Sequence, residues 1–221
     1  MGVSERYRKS RENIIASYTF TNLIEGDGAV IFYAGSALDD SATELYLLRS
    51  QTYGSHDIET TSLTGVLTDS FVKVKEINYD LSPTKIGQTI TGRGLIELTF
   101  AVKGHASTNV WGYIIGKLIK DDGSETVIGT GQTDTLQVAG ANWKTQRTTL
   151  ILDITETKLK KNDTLRLSLE GWAKRDSGGG SYSGYIGWGQ DPLNRDGSHI
   201  TPSSTTDTTQ LKMTIPFKIN L

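Results

Sequence analysis

The 221-residue chain contains no cysteine. Disulfide staples, thiol catalysis and thiolate metal sites are thereby excluded. Proline is nearly as scarce, with four in the whole chain, and there are three histidines. His56, His105 and His199 lie far apart, without the spacing of a zinc site, and read as surface or loop residues. No apolar run approaches the roughly 18 residues that span a bilayer as a helix, so no membrane partner is expected. Charge of one sign is also missing: 23 Lys and Arg stand against 25 Asp and Glu, a formal net charge of −2. So balanced a chain lacks the basic footprint of a nucleic-acid binder, and nucleic acid is not an expected partner. The N-terminus shows no targeting signal, and Arg6 stands where myristoylation after Met1-Gly2 requires Ser or Thr.

What the chain does have is alternation. Leu150, Leu152 and Ile154 alternate with Thr149, Ile151 and Asp153; Leu165, Leu167 and Leu169 alternate with Arg166, Ser168 and Glu170. A period of two puts each apolar set on one face, as a half-buried antiparallel sheet requires. The polar passage from Thr155 to Asp163 reads as the connection of a hairpin, with Lys160, Lys161, Asn162 and Asp163 closing the turn. Val110 to Ile128 reads as a second hairpin, turned at Asp122-Gly123. Its first strand carries Trp111, Tyr113, Ile115 and Lys117 on one face and Gly112, Ile114, Gly116 and Leu118 on the other. With apolar groups on both faces, it belongs mid-sheet or at a subunit contact.

Further strands follow from the same pattern. Ile96, Leu98, Phe100 and Val102 alternate cleanly, while Gly87 to Gly94 reads as a loop or a separate edge strand. The alternation of Phe71 to Leu81 slips between Val74 and Ile77, which predicts a bulge. Leu211, Met213, Ile215, Phe217 and Ile219 form a last strand, with Pro216 placing it at an edge or near a bulge. Ile14–Thr21, Ala29–Tyr33, Glu44–Leu48 and Ile58–Thr60 are shorter candidates. Eight or nine strands without crossover helices predict an all-β, antiparallel two-sheet sandwich, with a jelly roll favoured over an immunoglobulin-like arrangement. The expected organisation is an N-terminal arm over residues 1–13 and one sandwich domain over residues 14–221.

Candidate chemistry is sparse. No nucleophile elbow or serine triad is legible, and no enzyme activity is expected. Asp191, Asn194, Asp196 and Gly197 offer oxygen ligands, but their spacing departs from a calcium loop, and Asp121, Asp122 and Glu125 read as turn residues. No metal and no cofactor are therefore assigned. Two segments are interface candidates instead: the arm carrying Arg6, Arg8, Lys9 and Arg11, and the glycine-rich stretch carrying Tyr182, Tyr185 and Trp188. With Trp172, these aromatics suit a carbohydrate surface, pack into the end of the core, or meet a protein partner. The surrounding glycines let a loop mould to a neighbour, which favours the interface.

The basic arm, the Thr- and Gly-rich strands and the polar hairpin before Thr164 to Glu170 together resemble small jelly-roll structural proteins of viruses. The resemblance is to capsid and decoration proteins and to tail components of tailed bacteriophages. It implies a virion protein without catalytic residues, working by self-association, commonly as a homotrimer, and by binding other capsid or tail proteins. Near-neutral charge favours an outer, decoration-type role over one lining packaged genome. A carbohydrate-binding module or adhesin using Tyr182, Tyr185 and Trp188 is the main alternative. A β-sandwich enzyme, whose hydrolase form needs paired carboxylates, is the other.

Overall fold

A computed structural model describes residues 16–17, 27–36, 45–48, 58–62, 69–81, 84, 87–104, 108–176, 184–190 and 210–218. In chain order the strands are β1 (Ala16–Ser17), β2 (Asp27–Ser36), β3 (Leu45–Leu48), β4 (Ile58–Ser62), β5 (Val72–Asp80), β6 (Gln88–Lys103) and β7 (Val110–Asp121). They continue as β8 (Glu125–Gln132), β9 (Leu136–Val138), β10 (Trp143–Leu159), β11 (Thr164–Arg175), β12 (Tyr185–Gly189) and β13 (Lys212–Lys218). Among the described residues there is no helix.

The pairing is nested. β2 pairs with β13, β4 with β12, β5 with β11, β6 with β10, and β7 with β8 and β9, all antiparallel. The first half of the chain thus folds back along the second as one long hairpin. That hairpin wraps into two layers, β2-β13-β6-β10 and β5-β11-β7-β8. This is the jelly-roll arrangement of an antiparallel two-sheet sandwich, as strand count and length predict. One parallel bridge, Tyr46 to Asp80, joins β3 of the first layer to β5 of the second. In each layer a long strand shares one flank between two shorter ones. β6 meets β13 and then β12, and β7 meets β8 and then β9.

The core fills the space between the layers. Leu150 and Leu152 of β10 and Leu165, Leu167 and Leu169 of β11 are buried there, with Ile96, Leu98 and Phe100 of β6 and Ile114 and Leu118 of β7. Here the expected hairpin fails. β10 pairs with β6 and β11 inserts between β5 and β7, so residues 160–163 form an arch between layers. Both apolar sets face one core from opposite sides, a geometry that alternation alone does not separate from a hairpin. β10 also runs on through Thr155–Lys158, whose polar side chains sit on a paired strand, until Leu159 re-enters the core.

Three irregularities fix the register. In β5, Gly171 faces Lys75 while Trp172 faces Lys73, so Val74 is the extra residue of the expected bulge. The Gly87–Gly94 stretch is neither a loop nor a separate strand, because β6 continues through it. Gly92 takes φ 99° where the β10 register slips between Ile154 and Thr157. Pro216 lies over that kink, its Cγ 3.5 Å from where a Gly92 side chain would begin. β13 is consequently no edge strand, being flanked by β2 and β6. The proline is tolerated because the β6 pairing is already broken between Thr214 and Phe217.

Candidate interaction surface

The surface begins with the glycines of β7. Gly112 and Gly116 share the inner face with Val110, Ile114 and Leu118, leaving no room there for large rings. The bulky residues of the strand therefore point away from the core. Across the β7–β11 ladder they form rows: Trp111 beside Lys174, Tyr113 beside Trp172, Ile115 beside Glu170, and Lys117 beside Ser168. Phe71, just before β5, closes the group at one end. Its ring meets Tyr113 edge-on at 4.8 Å and 60°, and Tyr113 stacks on Trp172 at 6.3 Å and 4°. The Lys174 ammonium sits 4.9 Å from the Phe71 ring centre and 5.3 Å from that of Trp111.

Beneath these rings lies Glu170, whose side chain is 4% exposed although it faces away from the core. Lys117 Nζ donates to its Oε1 at 2.7 Å and Trp172 Nε1–H to its Oε2 at 3.0 Å. Lys73 lies 3.4 Å from the same carboxylate and donates to Glu76, directly opposite Glu170 on β5, at 2.5 Å. The lysine bridges two acids that would otherwise repel across the ladder. Burial pushes the Glu170 carboxyl up, but Lys117, the indole N–H and Lys73 outweigh it and hold it below the ordinary range. Burial first, then the charge of Glu170, raises the Tyr113 phenol. Each Glu170 oxygen is thus already engaged.

A second group occupies the other layer. Trp143 of β10 and Tyr185 of β12 both pair with Lys103 of β6, and the two rings stack at 5.9 Å and 24°. Lys103 Nζ lies 5.7 Å and 5.5 Å from their centres. The sequence-predicted Tyr185 is therefore half-buried in an aromatic pair on the sheet. Trp188 is different. It is 0% exposed and its indole is enclosed in the core, so it offers no ring to a neighbour, and the core-end reading of this segment holds for it. β12 alternates, which sends Tyr185 and Trp188 into different surroundings. Arg6, Arg8, Lys9, Arg11 and Tyr182 lie outside the described residues, as do the three histidines and Asp191, Asn194, Asp196 and Gly197.

Asp121 and Asp122 serve the β7–β8 turn, as expected: Asp121 accepts from the Gly123 N–H at 3.0 Å, and Gly123 takes φ 100°. The Lys120 ammonium, 2.8 Å away, holds Asp122 below the ordinary carboxylate range. Glu125 pairs with Arg166, which also grips Asp80 through Nε at 2.5 Å and Nη2 at 2.9 Å. Sequence reading missed Phe71 and Lys174 as surface residues, and it placed the hairpin of Trp111 and Tyr113 mid-sheet or at a subunit contact without grouping those rings with Trp172. Their grouping depends on the β7–β11 register, which no local spacing encodes.

No protein-family model and no curated protein matches the chain. Among solved structures, an aminopeptidase from the marine sediment archaeon Thaumarchaeota archaeon is similar at a TM-score of 0.48 and 9% identity, over 86% of this chain and 37% of that one. A CocE/NonD family hydrolase from Staphylococcus aureus is similar at 0.45 and 11% identity, over 87% and 37%. A chain of the T13 IBDV viral particle is similar at 0.36 and 9% identity, over 83% and 43%. The chain spans less than half the length of each of these proteins, and likeness of this order identifies no family.

Proposed function

We propose that the protein is a non-enzymatic structural component of a virus particle, a decoration or other capsid-associated protein that works by self-association and lattice binding. The observation that carries this reading is the outer face of β7 and β11. Trp111, Tyr113 and Trp172 there, joined by Phe71 from just before β5, gather half-exposed over the buried Glu170 carboxylate. Sheet faces turned to water are ordinarily polar, and aromatic groups on them suit a macromolecular neighbour.

Carbohydrate binding is the second reading, because stacking in the Tyr113–Trp172 and Trp143–Tyr185 pairs occupies only one face of each half-exposed ring. Sedimentation velocity and electron microscopy of the full chain test the assignment, alongside a variant lacking residues 1–12. The expected result is a discrete homo-oligomer, the trimer being the first expectation, weakened by the deletion while the circular dichroism melt stays unchanged. A protein that stays monomeric at all concentrations and binds no capsid shell would overturn it.

A further inference from the structure

We infer that the Phe71–Trp111–Tyr113–Trp172 face, with Lys174 at its centre, is a docking site for an acidic polypeptide segment of a partner subunit. A Glu or Asp of that segment would meet the Lys174 ammonium, and flanking apolar side chains would pack on the ring edges. The inference rests on the assembly role proposed above and names the chemistry of the partner.

Charge points to an acidic ligand. Most cations placed on the surrounding sheet are already matched: Lys117 and Lys73 with Glu170, Lys120 with Asp163, and Arg166 with Asp80. Lys174 is held differently. Among the described residues no carboxylate pairs with it, and two aromatic rings support its ammonium from below. Glu170, on the same face, cannot supply the missing charge, because Lys117, Lys73 and Trp172 already occupy it. Rings attract a cation without neutralising it, so the ammonium remains available to an incoming anion.

The rings point to apolar flanks. Stacking occupies one face each of Tyr113 and Trp172, the Tyr113–Phe71 contact is edge-on, and Lys174 lies over one face each of Phe71 and Trp111. What remains for a ligand is half-exposed ring surface around one positive charge. Aliphatic and aromatic side chains pack on such surface. An acidic, apolar-flanked peptide fits both features, and a neutral saccharide fits one.

The probe is a set of short fluorescein-labelled peptides in which Glu alternates with Leu, Phe or Tyr, with Lys-for-Glu counterparts and a sulfated oligosaccharide for comparison. Fluorescence anisotropy with the full chain is expected to show salt-sensitive binding of acidic peptides only. Lys174→Glu should weaken that binding by about tenfold or more, Lys174→Gln by less, and the exposed Lys144→Glu hardly at all. Matching thermal melts exclude misfolding, and Lys174→Gln keeps the test open if Lys174→Glu folds poorly. Binding of the oligosaccharide without the peptides would overturn the inference. So would equal peptide binding by wild type and Lys174→Glu, or no binding at all. Sedimentation separates the two proposals: a monomer that still binds acidic peptides through Lys174 would sink the assembly role and leave this site standing.

Discussion

Trp188 donates its indole N–H to the hydroxyl of Tyr79 at 3.1 Å. Tyr79 in turn donates to Gln190 Oε1 at 2.5 Å. All three side chains are buried. Tyr79 belongs to β5 of one layer, while Trp188 belongs to β12, which pairs with β6 of the other. The bond therefore crosses the sandwich, tying a segment after the glycine-rich stretch to the opposite sheet. A buried donor costs free energy unless it is satisfied, so this relay specifies where β12 must lie.

Tyr79→Phe should therefore destabilise the fold by about 1–3 kcal/mol, because it leaves the Trp188 N–H and the Gln190 side chain buried without their partner. Trp188→Ala should cost more, about 3–5 kcal/mol, through the cavity it opens. Urea unfolding followed by far-ultraviolet circular dichroism measures both. A Tyr79→Phe variant as stable as wild type would remove the relay from the account of stability.

The Trp188 result also shows how far the sequence could be read. Alternation reports which residues share a face, and it found β7, β10, β11, β13 and the half of β6 that carries Ile96, Leu98, Phe100 and Val102. It does not say which of two layers a strand joins, since Leu150–Leu152 and Leu165–Leu169 meet the same core from either side. Nor does it say which face of a short glycine-rich strand is inner. Tyr185 and Trp188 looked alike in sequence but occupy a surface pair and the deep core. The Val74 bulge and the Asp122-Gly123 turn were legible because both are local.

Glu170 gives a pH dependence whose sign follows from its lowered carboxyl pKa. An unfolded glutamate titrates at about 4.3. A group that is more acidic when folded contributes stability above that value and loses it as pH falls through the lower folded value. Glu170→Gln should therefore lower stability by about 1–3 kcal/mol at neutral pH, the scale of a broken charged hydrogen bond. The gap between variant and wild type should narrow below about pH 4.3. Thermal melts from pH 7 to pH 3 test this, and a gap that widens in acid would refute the assignment.

Gly116 tests the packing that pushes the rings outward. A Cβ at this position would lie 2.5 Å from Ile96 Cδ1 across the core. Gly116→Ala should cost about 1–3 kcal/mol as an overpacked substitution. Ile96→Val removes the clashing methyl, so the double variant should be more stable than the two single effects added together predict. Strict additivity in urea titrations would mean that the clash is relieved elsewhere.

The arch at residues 160–163 makes a purely backbone prediction. Asn162 is exposed and adopts φ 75°, a region that L side chains other than Asn and Asp enter at a cost. The turn is held from both sides, since Asn162 N–H donates to the Thr84 carbonyl at 2.8 Å and Thr84 N–H to the Asp163 carbonyl at 2.9 Å. Asp163 accepts from the Lys160 N–H at 2.8 Å, so the chain cannot relax out of this conformation without losing several bonds together. Asn162→Gly should leave stability within about 0.5 kcal/mol of wild type or raise it slightly, because glycine enters this region freely. Asn162→Val should cost about 1–2 kcal/mol, as its branched side chain cannot. Because the side chain meets solvent, packing cannot produce this ordering. Equal urea midpoints for the two variants would mean that the arch tolerates another backbone path between the layers.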